Sequence, residues 1–190
     1  MPLSDNLNKS QNLKILYNSW KNKTRPNTKW KMAGDMPGRM DWLVEQFSNL
    51  DSITEFGHYQ GCSTTIWMAC LPKKLVTVDI NKFLNQQEHE TIAKELGINF
   101  KCIIDDDLAI TIEETDLLFI DTMHTEDHTY KELKKHSDQV KKYLAFHDVN
   151  PKRFQTHLGI EKWLKEENNN WKELYHDIND CGFLILERKK

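Results

Sequence analysis

Glycine and proline are scarce in this chain, 7 and 5 of 190 residues, and its 4 cysteines include no CxxC pair. So little glycine and proline excludes collagen-like and low-complexity architectures, which need roughly a quarter or more of such residues. Cys62, Cys70, Cys102 and Cys181 are scattered, and three of them adjoin apolar residues, where a thiol acts as a small hydrophobe. A disulfide framework or a cysteine metal cluster is therefore not expected. No apolar run approaches the roughly 20 residues that cross a bilayer. No apolar h-region follows the early Lys and Asn residues, so the expectation is a cytoplasmic chain with no membrane partner. A surplus of positive charge is missing too. The net charge of -3 provides no field for a phosphate backbone, and nucleic acid is not favoured as a partner. With 38% hydrophobic and 29% charged residues, the composition is that of one globular domain.

From Met1 to about Arg39 the chain is polar, carries Pro26 and Pro37, and shows only a short helical pattern around Leu13, Ile15, Leu16, Tyr17 and Trp20. Its lysines, with Arg25 and Trp30, read as a solvated surface. Residues 1–39 are expected to form an N-terminal arm or lid. Residues 40–190 form the compact domain, because Met40, Leu43, Val44 and Phe47 begin a helical spacing. Short β-like runs then alternate with helical stretches. Ile53–Phe56 precedes a helix near Thr64–Cys70, Leu75–Asp79 precedes one near Asn85–Leu96, and Phe100–Ile104 runs into an acidic turn. Asp116–Ile120 precedes a helix near His128–Lys142, and Tyr143–Phe146 follows it. Strands separated by crossover-length helices make an α/β fold with a parallel sheet. After a helix near Gly159–Glu167, the runs Trp171–Asp177 and Phe183–Leu186 read as a hairpin that adds an antiparallel edge, a candidate interface for a homo-oligomer.

In an open parallel sheet, ligands bind outside the carboxyl ends of the strands. The residues at those ends are Glu55 and Gly57, Asp79, Asp105 to Asp107, Asp121 and His124, and His147 and Asp148, so every parallel strand ends in at least one carboxylate. Gly57 and Gly61 in the first turn permit a sharp backbone path and close ligand approach. Ser63 and Thr64 stand at a helix start, where free N–H groups attract an anion. Asp79 lies about twenty residues further on, where a carboxylate accepts bonds from ribose hydroxyls. His89, His128 and His136 read as surface histidines of amphipathic helices. Trp42 and Tyr59, with the arm's Tyr17, Trp20 and Trp30, could wall an acceptor pocket, and Tyr59 is the one placed near the ligand.

The run Ile53–Thr64 resembles the first motif of class I S-adenosylmethionine-dependent methyltransferases, in the glycine-poor form E-x-G-x-x-x-G-x-S-T of small-molecule O-methyltransferases and cephalosporin hydroxylase-like proteins. The run Asp116–Thr125 is similar to the same group's D-L-x-F-I-D-G-x-H-x-Y, and Phe146-His147-Asp148 to its F-H-D. The resemblance spans about 40–190 and implies a Rossmann-like, mostly parallel seven-stranded sheet with helices on both faces. It further implies that Glu55, Gly57, Tyr59, Gly61 and Ser63 line the cofactor loop and that Asp79 holds the ribose. Asp106 would take the adenine amino group, and Asp121 would lie beneath the transferred methyl. Asp105, Thr122 and Lys142-Tyr143 stand where the family has glycine, glycine and P-G-G.

The activity implied is methyl transfer to a hydroxyl of a small molecule. A sulfonium methyl is already activated, so the protein must align an acceptor and help remove its proton. Asp121, His124 and His147 are the candidates for that help. The resemblance also implies a facultative Mg²⁺ on Asp121 and Asp148 that would lower the acceptor's pKa. A base role for His147 or His124 is the rival mechanism. Two alternatives stay open: a cofactor-binding protein with hydroxylase-like or cofactor-cleaving chemistry, and a non-catalytic Rossmann-like module.

Overall fold

The computed structural model describes residues 35–59, 61–82, 86–167 and 170–189. The arm's expected helix, its basic run and Tyr17, Trp20 and Trp30 lie outside them. The chain opens with helix α1 (Asp35–Phe47), then β1 (Ser52–Phe56), α2 (Cys62–Ala69), β2 (Lys74–Asp79), α3 (Gln86–Leu96) and β3 (Asn99–Ile104). It continues with β4 (Thr115–Ile120), α4 (Glu126–His136), a single 3-10 turn at Ser137–Gln139, β5 (Val140–His147), α5 (Thr156–Glu167), β6 (Trp171–Asp177) and β7 (Phe183–Arg188). Among the described residues no helix is long and apolar enough to cross a membrane.

The seven strands form one sheet in the order β3-β2-β1-β4-β5-β7-β6. β1 pairs parallel with both β2 and β4, and the chain reverses its direction of travel across the sheet between β1 and β4. That switch point opens a crevice at the strands' carboxyl ends. β4 is buried at every position, as a central strand covered on both faces must be. Its side chains alternate. Leu117 and Phe119 join Ile53, Trp67 and Leu75 in a core roofed by α1, α2 and α3, while Leu118 and Ile120 join Phe56, Val78, Leu133 and Trp163 beneath α4 and α5. The expected helices on both faces are present.

Two details differ from the sequence reading. α1 starts at Asp35 and crosses the expected boundary at 39/40. Pro37 sits in its first turn, where a missing N–H costs nothing, and Met36 is already buried. α4 ends at His136, and Val140 to Lys142 open β5 instead of extending the helix, because Val140 pairs with Thr115 of β4. The C-terminal hairpin adds the expected antiparallel edge. β7 inserts between β5 and β6 and runs antiparallel to both, leaving β6 as the edge. Arg39 of α1 clasps this region, donating to Tyr175 Oη at 2.8 Å and to Asp177 Oδ2 at 2.7 Å, with its guanidinium over the Phe183 ring.

Candidate active site

The turn after β1 rests on a buried polar foundation. Glu55 is fully buried on the α2 side of β1, and its Oε2 lies 2.5 Å from Thr64 Oγ1, which is in turn 2.9 Å from His58 Nδ1. Thr65 Oγ1 donates to the Gly61 carbonyl and lies 3.2 Å from Nε2 of His89, another fully buried side chain. Burial pushes the Glu55 carboxyl up to about 8 and drives the His58 imidazole far below its ordinary value. Both are therefore neutral at pH 7, and Glu55 supports the loop from beneath.

Because the native state holds a proton that unfolded Glu55 has released, stability falls as pH rises from about 4.5 through 8. Glu55→Gln should flatten this fall by about 1–2 kcal/mol, allowing for relaxation and water entry around the buried group. Urea unfolding of both proteins at pH 5 and pH 8.5 measures it, and equal slopes would refute the assignment.

Gly57 and Gly61 both adopt left-handed backbone, with φ of 84° and 78°. A Cβ on Gly57 would stand 1.9 Å from the Asp121 carbonyl oxygen, and one on Gly61 would stand 2.2 Å from His89 Cε1. Gly61 is also the N-cap of α2, and no side-chain hydrogen bond caps that helix. Ser63 is buried in the first turn of α2, and Tyr59 is exposed at the loop's tip. Asp79 stands at the end of β2 as expected, but the loop already uses it. Its Oδ2 accepts from the N–H groups of His58 and Tyr59, and its Oδ1 from that of Asn81. With about four lone-pair positions, the carboxylate keeps capacity for one more donor. Asp106 is exposed in the turn after β3, its Oδ1 capping Leu108 N.

β4 and β5 bring the remaining candidates together. His124 Nε2 lies 3.2 Å from Asp121 Oδ1 and 2.7 Å from Asp148 Oδ2. His147 Nδ1 lies 3.4 Å from Asp121 Oδ2 and 3.5 Å from Asp148 Oδ1. Asp148 adopts φ of 54°, which aims its carboxylate back over the end of β5. Burial opposes ionisation here, yet hydrogen bonds from the two histidines outweigh it and hold both aspartates below the ordinary carboxylate value. The same pairing overcomes burial at His124 and raises its imidazole to about 9. At neutral pH His124 is thus a cation held between the Asp121 and Asp148 carboxylates.

Sequence reasoning missed the apolar rim of this crevice. Ile80, next to Asp79, is 66% exposed and Met123 60% exposed, with Ile104 also at the rim. A strand-end carboxylate followed by an isoleucine was the available signal. The three histidines read as surface groups are not. His89 and His136 are buried, and the His128 side chain is only 15% exposed. Trp42 stacks on Tyr175 at 4.6 Å in the α1 packing rather than walling a pocket. Two surface hollows of about 290 and 100 Å³ lie on the α4–α5 flank and beside the β2–β3 pair, away from this chemistry.

No protein-family model matches the chain, and neither does any curated protein. Solved structures do. Magnesium protoporphyrin IX methyltransferase from Synechocystis, with bound SAM, superposes with a TM-score of 0.63 at 13% identity, covering 95% of this chain and 97% of that one. An O-methyltransferase from Bacillus cereus in complex with SAH gives 0.58 at 13% identity, covering 96% and 91%. A ribosomal protein L11 methylase from Lactobacillus delbrueckii gives 0.61 at 15% identity, covering 80% and 77%. Identities this low establish architecture, and the strand order with its reversed β7 agrees with it. The chain therefore has the Rossmann-like fold of the class I S-adenosylmethionine-dependent methyltransferases.

Proposed function

We propose that the protein transfers a methyl group from S-adenosylmethionine to a hydroxyl of a small molecule. The observation that carries this reading is the Asp121, His124, His147 and Asp148 cluster at the ends of β4 and β5, beside the uncapped start of α2. The α2 N–H groups receive the cofactor's carboxylate, Asp79 and Asp106 the ribose and adenine, and Ile80 and Tyr59 give apolar cover. The methyl–sulfur bond breaks as the methyl–oxygen bond forms, and the hydroxyl proton passes to a ring nitrogen of His147, oriented by Asp121 and Asp148. His124, held as a cation, keeps both carboxylates ionised. Mg²⁺ suits the oxygens of Asp121 and Asp148. It competes there with the His124 proton, so dependence on it is weak or facultative.

Calorimetry with the full chain should give micromolar binding of S-adenosylmethionine and of its product, S-adenosylhomocysteine. Asp79→Ala should weaken both about ten- to a hundredfold, the worth of a hydrogen bond to a charged group. Folded protein that shows neither heat nor a thermal shift with either ligand would sink the proposal. Incubation with cofactor and a panel of hydroxyl-bearing small molecules, read by mass spectrometry, should yield a methylated product.

A further inference from the structure

α4 buries a second set of ligating side chains, away from the strand-end cluster. Its inward stripe is Thr129, Glu132, Leu133 and His136, and Glu132 is fully buried. Asp107, itself buried in the turn after β3, faces it. His128 Nε2 lies between the two carboxylates, 3.1 Å from Asp107 Oδ1, 3.3 Å from Asp107 Oδ2 and 3.6 Å from Glu132 Oε1. Among the described residues, His128 is the only basic side chain within ion-pair distance of either carboxylate, and its Nε2 carries at most one proton for three oxygens.

The hydrogen bonding is incomplete in a particular way. Glu132 Oε1 accepts from Thr122 Oγ1 at 2.8 Å, but Oε2 is buried with no hydrogen-bond partner, and Asp107 Oδ1 has only its 3.1 Å approach to His128 Nε2. An orphaned buried carboxylate oxygen is costly, because folding strips its water and returns no donor. One ligating atom from each of Asp107, His128 and Glu132 falls within a 4.8 Å cluster. Donors at about 2.0–2.2 Å from a tetrahedral ion stand roughly 3.3 Å apart, which is the spacing around His128 Nε2. The outer contacts are in place as well. Thr122 holds Glu132, and His136 Nε2 lies 2.9 Å from the Asp107 carbonyl oxygen.

We infer that Asp107, His128 and Glu132 form a site for a divalent transition-metal ion of zinc's type, with water completing the shell. One imidazole and two carboxylates suit such an ion better than Mg²⁺, which prefers oxygen alone. On binding, the ion takes the place of the His128 Nε2 proton and of the proton that burial keeps on the Glu132 carboxyl, and both leave to solvent. It fastens the turn after β3 to α4 and, through Thr122, steadies the loop that begins at Asp121.

The test uses the full chain and Zn²⁺ alone, with metal content after dialysis, calorimetry and melting temperature as readouts, and Co²⁺ absorption as a probe of tetrahedral coordination. Wild type should retain one Zn²⁺ and melt higher with it. Asp148→Asn, which disables the strand-end cluster, should leave that stoichiometry unchanged. His128→Gln should weaken binding at least about tenfold and abolish the thermal shift. Glu132→Gln keeps the Thr122 contact and should lose Zn²⁺ while remaining at least as stable as metal-free wild type. Absence of Zn²⁺ binding by wild type, binding that survives His128→Gln, or binding lost only in Asp148→Asn would each overturn the inference.

Discussion

Gly57→Ala should destabilise the protein by about 2–5 kcal/mol and abolish cofactor binding. Two independent terms add. An alanine at φ 84° carries the left-handed backbone penalty of about 1–2 kcal/mol. The new methyl would also stand 1.9 Å from the Asp121 carbonyl oxygen and 2.7 Å from its carbon, backbone atoms of a central strand's end that have no room to retreat, and overpacking of that kind costs about 1–3 kcal/mol. Gly97 supplies the control, with φ of 73° and nothing within 4 Å of where its Cβ would stand. Gly97→Ala should lose only the backbone term. At about 2–4 °C per kcal/mol for a domain of this size, melting temperatures should fall by about 10 °C for Gly57→Ala and by a few degrees for Gly97→Ala. Equal shifts would show that the Asp121 contact contributes nothing.

Asp148→Asn should have the next largest effect. Asparagine keeps the shape and tolerates φ of 54°, so the change is almost purely electrostatic. It leaves the His124 imidazolium with one carboxylate instead of two, and the imidazole should titrate well below the value of about 9 that it has in the wild type. Breaking a fully buried pair costs about 3–5 kcal/mol, and partial exposure of His124 reduces this to about 1–2 kcal/mol. The sign of the pH dependence follows from both partners. Asp148, depressed in the fold, contributes above its unfolded value near 3.8, and His124, raised in the fold, contributes fully below 6.5 and progressively less as pH rises through about 9. The stability gap between wild type and variant should therefore be widest between about pH 4 and 6.5 and nearly closed by pH 10. Methyl transfer should fall about a hundredfold or more, the usual worth of positioned proton transfer, with S-adenosylmethionine affinity nearly unchanged. NMR titration of the imidazoles and unfolding at three pH values check the first part. A pH-independent gap would refute the charge assignment.

The alternation of apolar runs and helical stretches was enough to read the α/β fold from the sequence, and the rule that ligands sit at strand ends led to Asp121, His124, His147 and Asp148 before any geometry was known. The C-terminal hairpin was legible as well, and the order of its two strands has its own signal. Phe183 to Leu186 is an unbroken apolar run, the signature of a strand covered on both faces, whereas β6 exposes most of its residues as an edge does. What the sequence hid was the burial of polar groups. His89 shares a stripe with Ile92, Ala93 and Leu96, and His136 shares one with Thr129, Glu132 and Leu133, both at the i, i+3, i+4, i+7 spacing of a core-facing surface. The spacing announced a buried face, but the polar residue types argued against it. The use of Asp79 by its own loop was invisible for another reason, since backbone N–H groups from a turn leave no trace in residue identity.

The clasp made by Arg39 has a consequence for how such a protein could diversify. It pins α1 to Tyr175 and Asp177 at the end of β6 and to Phe183, which is in register with His147 of β5. α1 is thereby tied to the β7–β6 end of the sheet, at the opposite edge from β2 and β3. A change at Tyr175, Asp177 or Phe183 is therefore felt by α1, whereas one at the β3 edge is not.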